Sequence, residues 1–232
     1  MQYLIKRRAD TSREELIAHW FANHMPGVIA RMDENRAAGK PHATHYVASL
    51  FDQESEEPPA WDGVAQLWYD AALPHPKQAS GVEPYDTFQE RVEPYWPWAT
   101  QEWVFVDGAL PLQPLTLNDP FPCTRSGFVK QISLVPAKPG VDFEGLKAHW
   151  LDVHAPNVVE TFAKVGGHRY VVSLSTDLEH APYAGMAELY FPDRVAQAAF
   201  WDAIQPDGFQ DWVDGANTLR FRCGTEMVGI EG

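Results

Sequence analysis

Cysteine is scarce. The chain has 232 residues and only Cys123 and Cys223, with no Cys-x-x-Cys pair, which excludes both a disulfide framework and a cysteine-built zinc site. Basic charge is also short: 18 Lys and Arg face 32 Asp and Glu, for a net charge of −14 with no basic run to offset it. Nucleic acid phosphates and anionic lipid would be repelled at long range, so neither is an expected partner. No stretch approaches the roughly 18 apolar residues of a membrane span. The opening Met1-Gln2-Tyr3-Leu4-Ile5-Lys6-Arg7-Arg8 reads as a strand and lacks the apolar core of a signal peptide, so a reducing cytoplasm is the expected setting. Also missing are a His-Glu-x-x-His metal motif, a Gly-rich phosphate loop, a Gly-x-Ser-x-Gly elbow and a nicotinamide fingerprint. No metal and no cofactor are expected.

What the chain does have is aromatic side chains and a repeat. Hydrophobic residues at 45% and charged residues at 22% belong to a folded globular chain. Nine Trp, twelve Phe and eight Tyr exceed the needs of a small core, and serve either as bulk burial or as the lining of a cavity. Ala18-His19-Trp20 with His24 and Pro26 recurs as Ala148-His149-Trp150 with His154 and Pro156. Further matches follow in the same order. Tyr46-Val47-Ala48-Ser49-Leu50 pairs with Tyr170-Val171-Val172-Ser173-Leu174, Gly63 to Tyr69 with Gly185 to Phe191, Asp86-Thr87-Phe88-Gln89 with Asp207-Gly208-Phe209-Gln210, and Glu102 to Val106 with Glu226 to Ile230. Ordered blocks of this kind mark a duplication, and the drifting offset marks loop insertions.

Each copy predicts the same elements. A strand (Gln2 to Arg7; Phe128 to Leu134) leads to a helix capped by Ser12, with Glu15 at capping-box spacing, or by Asp142. Leu16 and Trp20, or Leu146, Trp150 and Val153, form its apolar face. The prolines predict an end or bend just after His24 and His154, with a further helix behind. Two antiparallel strands follow, then a second helix over Thr87 to Val92 or Arg194 to Ala203, then a last strand. The order βαββαβ is ferredoxin-like, which makes the class α+β. The expected organisation is a first unit at 1–108, a Pro-rich linker at 109–126 and a second unit at 127–232. One sheet face in each unit would lack helices. Two such units are expected to pack sheet to sheet as an intrachain α+β barrel with the aromatics between them.

The helix with His-Trp…His-x-Pro, the strand before it and the strand order after it resemble the EthD family of the dimeric α+β barrel superfamily, in both copies. The resemblance covers nearly all of the chain outside the linker and the first-copy insertions. It implies a hydrophobic small-molecule ligand and a chain that acts as a monomeric pseudo-dimer or a homodimer. It also implies activities as diverse as decarboxylation, dehydration, cyclisation, isomerisation and cofactor-free oxygenation, or an accessory role in a monooxygenase pathway. Kinship of fold does not choose among them.

His19 and His24 lie five apart, about 140° around a helix, so they do not form a helical metal pair. Trp20 and His24 are four apart and share a face, as do Trp150 and His154. Near a helix end, His24 and His154 would be easier to protonate, and an imidazole near neutral pKa is a good general acid or base. Either they act on a substrate, or they cap the helix end and position the bend. His24 and His154 are the candidate catalytic residues. Trp20, Trp150, Tyr46, Tyr170, His19 and His149 are candidates for shaping the substrate pocket, with the two phenols also able to sit buried on backbone partners. His45 aligns with Arg169 and Thr44 with His168, so the two halves are not expected to be equivalent.

Overall fold

A computed structural model describes residues 1–55, 57–71, 73–108 and 121–231. Most of the expected linker, with Pro111, Pro114 and Pro120, lies outside the described residues. The elements are β1 (Gln2–Ile5), α1 (Arg13–His19), α2 (Met25–Ala37), β2 (His45–Leu50), β3 (Gly63–Trp68), β4 (Thr100–Asp107), β5 (Cys123–Val135), α3 (Phe143–His149), α4 (Ala155–Lys164), β6 (Arg169–Ser175), β7 (Gly185–Phe191), α5 (Arg194–Ala203) and β8 (Leu219–Ile230). Between α1 and α2 runs a π-helical turn, Trp20–His24, and between α3 and α4 another, Trp150–His154. No helix among the described residues is long and apolar enough to cross a membrane.

The described residues form two compact units. The first holds residues 1–99, 121–126 and those from Thr225 onward; the second holds 100–108 and Gly127–Gly224. The last strand of each sequence copy thus contributes to the other copy's unit. Within the first unit the strands run β1-β3-β2 and then the end of β8, all antiparallel. Within the second they run β5-β7-β6-β4, again antiparallel.

Helix starts follow the sequence signals. The Ser12 hydroxyl accepts from the Glu15 N–H at 3.1 Å while Glu15 accepts from the Ser12 N–H at 2.9 Å, and Asp142 accepts from the Gly145 N–H at 2.9 Å. At the prolines the expected further helices begin, with Pro26 in the first turn of α2 and Pro156 in that of α4, but without a break in the chain's helical course. No end or sharp stop occurs after His24: Met25, the residue before Pro26, is helical at φ −59°, ψ −45°. Proline lacks an N–H and crowds the carbonyl four residues back. The π turn absorbs this by adding one residue, so that the Met25 N–H donates to the Trp20 carbonyl and the Ala155 N–H to the Trp150 carbonyl.

In each unit a large aromatic cluster sits on the helix-covered face of the sheet. Tyr46, Ala48, Leu50, Ala65 and Leu67 pack with Leu16, Trp20 and Met25, and Tyr170, Val172, Leu174, Ala187 and Leu189 with Leu146, Trp150 and Phe162. The opposite face carries buried polar groups, Ser49, Gln66 and Glu226 in the first unit and Lys130, Ser173 and Glu188 in the second, and in the second unit also the buried aromatic pair Phe128 and Tyr190, 5.3 Å between centroids. Strand alternation decides this, because a helix-facing Tyr46 puts Val47 and Ser49 on the other side. Val153 also departs from expectation. It is 44% exposed because the π turn rotates it outward.

The second helix is real in only one copy. α5 spans the expected residues and is capped by Asp193, which accepts from the Ala196 N–H at 2.8 Å. Its first-copy counterpart is a short run of turns held by Asp86, whose carboxylate accepts from the Gln89 N–H at 2.8 Å and whose carbonyl accepts from Glu90.

Candidate functional site

The π turn fixes the site. Over Trp20–His24 the first and last residues point inward, Trp20 fully buried and His24 7% exposed, while Ala22 and Asn23 face solvent. Trp20 can lie flat on the sheet because Gly63 leaves space beneath it. A Cβ there would stand 2.6 Å from the Ser49 carbonyl oxygen and 3.1 Å from the indole. Gly185 serves Trp150 in the same way, with a Cβ meeting Leu174 at 2.8 Å and the indole at 3.0 Å.

His24 is held from the far side by a residue not singled out in the sequence. Its Nδ1 lies 2.6 Å from Asp86 Oδ2, and its ring packs on Phe88 at 4.4 Å between centroids. His154 repeats the arrangement with Asp207 at 2.7 Å and Phe209 at 3.9 Å, with rings 8° from parallel. Asp-x-Phe therefore accompanies each His-x-Pro, and the matching blocks at Asp86 and Asp207 were the available signal. Burial pushes the carboxyl groups of Asp86 and Asp207 up, but hydrogen bonds outweigh it. These come from His24 and the Gln89 N–H, or from Asn157, His154 and the Phe209 N–H, and both groups end below the ordinary range. An ionised carboxylate only accepts, so each histidine donates from Nδ1 and leaves Nε2 as the lone-pair nitrogen. The expected easy protonation fails for His154. Desolvation lowers its pKa despite Asp207, and the continuing helix supplies no free C-terminal carbonyls to oppose that.

Around His24 lies a cavity of about 190 Å³, whose lining includes Trp20, Tyr46, Val28, Met32, Arg31 and Phe88. His24, Val28, Arg31 and Met32 follow i, i+4, i+7 and i+8 spacing and so share one helix face. Tyr3, Tyr69, Tyr85 and Tyr95 add phenols to the wall. Burial raises the pKa of all five lining tyrosines, so they stay neutral donors. The Trp20 indole donates to the Tyr46 hydroxyl at 3.2 Å. Among the described residues no carboxylate lines the cavity.

The second unit packs the corresponding space differently. Where the first copy has Met32 and Tyr69, the second has Phe162 and Phe191, 5.2 Å apart, with Phe200 of α5 at 6.1 Å from Phe162. Phe162 is fully buried. Trp150 lies close enough to Tyr170 to temper the rise that burial gives the phenol, yet neither polar atom completes a hydrogen bond.

The remaining sequence candidates stand apart from the cavity lining. His19 Nδ1 pairs with Thr87 Oγ1 at 2.8 Å. His149 stacks between Phe209 and Trp212, and its Nε2 is 4.0 Å from Asp207. His45 is exposed and Arg169 pairs with Asp107. Both cysteines are buried, and neither forms a disulfide among the described residues.

Residues 138–216 match the EthD domain family, and no match is found among curated proteins. Among solved structures, the fold resembles that of a Fusobacterium nucleatum subsp. nucleatum protein whose name provisionally assigns it as a monooxygenase. The two are 10% identical, the TM-score is 0.52, and the match covers 100% of this chain and 93% of that one. Weaker likenesses are a similarly named Lactobacillus acidophilus protein (9% identity, TM-score 0.49, coverage 100% and 95%) and a mutant chlorite dismutase of Candidatus Nitrospira defluvii (10%, 0.46, 96% and 89%). At these identities the likeness is one of fold.

Proposed function

We propose that this chain, which carries an EthD domain at residues 138–216, is a cofactor-independent enzyme. In this reading its first-unit cavity moves protons on a hydrophobic single-ring aromatic molecule, with His24 as general acid and base. The observation that carries the proposal is the His24 Nδ1 to Asp86 contact of 2.6 Å beside an aromatic cavity. It sets the tautomer, orients the ring, and stabilises the imidazolium formed when Nε2 takes a proton. Asp86 is a positioning residue. Trp20 and Tyr46 shape the wall. A cavity of about 190 Å³ is only somewhat larger than the roughly 150 Å³ engineered cavity that accepts benzene, so one substituted ring fits.

The chemistry would start with a phenol. Nε2 removes the O–H proton, the electron pair stays on oxygen and spreads to the ortho and para carbons, and the imidazolium returns its proton to one of those carbons. Reversal exchanges the ring hydrogen. If the protonated carbon bears a carboxylate, loss of carbon dioxide returns the bonding pair to the ring, which is a decarboxylation. The EthD match and the monooxygenase-like fold neighbour suit a small-molecule catabolic protein. They also leave room for a second use of the same phenolate, its reaction with dioxygen. His154 is proposed to hold its helix against Asp207 and Phe209 in a unit whose pocket space is packed by phenylalanine.

Deuterium incorporation into resorcinol and 2,4-dihydroxybenzoate in heavy water, read by mass spectrometry, tests the proposal. Incorporation above buffer background should vanish in His24→Gln and persist in His154→Gln. Incorporation undiminished in His24→Gln refutes the role of His24, and oxygen uptake with the same phenols would favour the oxygenase use. Binding without either reaction would mark a non-catalytic carrier.

A further inference from the structure

We infer that the cavity takes an anion, a single-ring aromatic carboxylate whose carboxylate sits on Arg31 while its far end meets His24. This deepens the proposed function and rests on that cavity being the site.

Three observations converge on it. First, among the described residues the wall of the cavity has no carboxylate, its five phenols are kept neutral by burial, and Arg31 is its one permanent charge. In a chain of net charge −14 a local cation on an acid-free wall is a selective feature, because the surroundings would otherwise repel anions. Second, Arg31 makes no ion pair among the described residues. Its guanidinium instead lies over the Tyr85 ring, 4.8 Å from the centroid, which fixes the plane of the fork while leaving N–H groups for a carboxylate. Neighbouring acids are engaged elsewhere, Asp86 with His24 and Asp33 with Arg36. Third, the second copy has Thr161 at the position of Arg31, buried and donating to the Asn157 carbonyl at 3.1 Å. The cation is present where the space is open and absent where phenylalanines pack it.

Geometry then limits the ligand. Arg31 follows His24 by two helical turns on the same face, about 10 Å along the axis, less the reach of the two side chains. A para-substituted ring with its acid group at one end and a phenol or acidic carbon at the other spans that gap, whereas a neutral ring leaves the guanidinium without a partner.

The test compares 4-hydroxyphenylacetate with its neutral amide, by calorimetry and by quenching of Trp fluorescence. Wild type should bind the acid at least about tenfold more tightly, because a charge-assisted hydrogen bond at a partly exposed site has about that effect. Arg31→Gln should weaken acid binding about tenfold or more and leave the amide unchanged, Arg31→Lys should keep part of the preference, and added salt should weaken the acid alone. Arg31 is exposed, so these variants should fold as wild type does. Equal affinity for acid and amide, or acid binding undiminished in Arg31→Gln, overturns the anion inference and leaves the cavity reading standing. Absence of saturable binding of either compound overturns both.

Discussion

Exchanging one pair of side chains should convert the open first-unit cavity into the packed arrangement of the second. Met32 lines the cavity where Phe162 fills the other core. Phe162 is accommodated only because Gly167 stands beside it: a Cβ at Gly167 would lie 2.4 Å from the ring. The first copy has Ala43 at the Gly167 position, with its N–H on the Met32 sulfur at 3.2 Å. Met32→Phe alone should therefore overpack against the Ala43 methyl and lose about 1–3 kcal/mol. Ala43→Gly alone should lose about 1 kcal/mol through added chain freedom. The double variant removes the clash, and filling about 25 Å³ of void returns about 0.6 kcal/mol. It should thus be at least about 1 kcal/mol more stable than the sum of the single effects, within the range seen for touching pairs. Urea unfolding at constant m-value measures the cycle, and 4-hydroxyphenylacetate titration should show binding lost in the double variant. A double variant that is no more stable than the sum of the two single effects, or that still binds the ligand, refutes the reasoning.

Tyr46→Phe strips the buried Trp20 N–H of its acceptor and should cost about 1–3 kcal/mol. Tyr170→Phe removes a hydroxyl that makes no hydrogen bond and should cost at least about 1 kcal/mol less than that, as compared by chemical denaturation. Acid stability should follow the two aspartates. Their folded pKa values lie below the unfolded value of about 3.9, so the stability they contribute is full above it and is lost as pH falls through the folded values. Asp86→Asn with Asp207→Asn should flatten that part of the pH–stability curve. His154 acts with the same sign at higher pH. Its folded pKa is depressed by burial, so stability should decline as pH falls below the unfolded value of about 6.5, and His154→Gln should remove that slope.

Local signals in the sequence translated well into structure: the Ser12 capping box and the Asp142 cap both form as their spacing predicts. What escaped was non-local or non-standard. The π turn depends on a hydrogen bond five residues back, which a 3.6-residue periodicity does not encode, so Pro26 read as an end or bend before a further helix rather than as the cause of a widened turn. Asp86 and Asp207 reach their histidines across 62 and 53 residues, and only packing brings them together. Their appearance in matched blocks showed them to be shared without showing their partner. The polar character of the face away from the helices was not foreseen: strand alternation from Tyr46 places Ser49 there, together with Gln66 and Glu226, while Phe128 and Tyr190 supply aromatics on that face in the second unit. The difference between the copies was present in the Met32/Phe162 and Arg31/Thr161 pairings, whose meaning depends on knowing which helix face meets the sheet.

Nitrogen-15 NMR of the imidazoles during titration with 4-hydroxyphenylacetate tests the central claim most directly. In the free protein His24 should show a protonated Nδ1 and a bare Nε2, and the ligand should shift Nε2 of His24 while leaving His154 unmoved. A bare Nδ1 on His24, or a ligand response at His154 without one at His24, would contradict the placement of acid–base chemistry in the first-unit cavity.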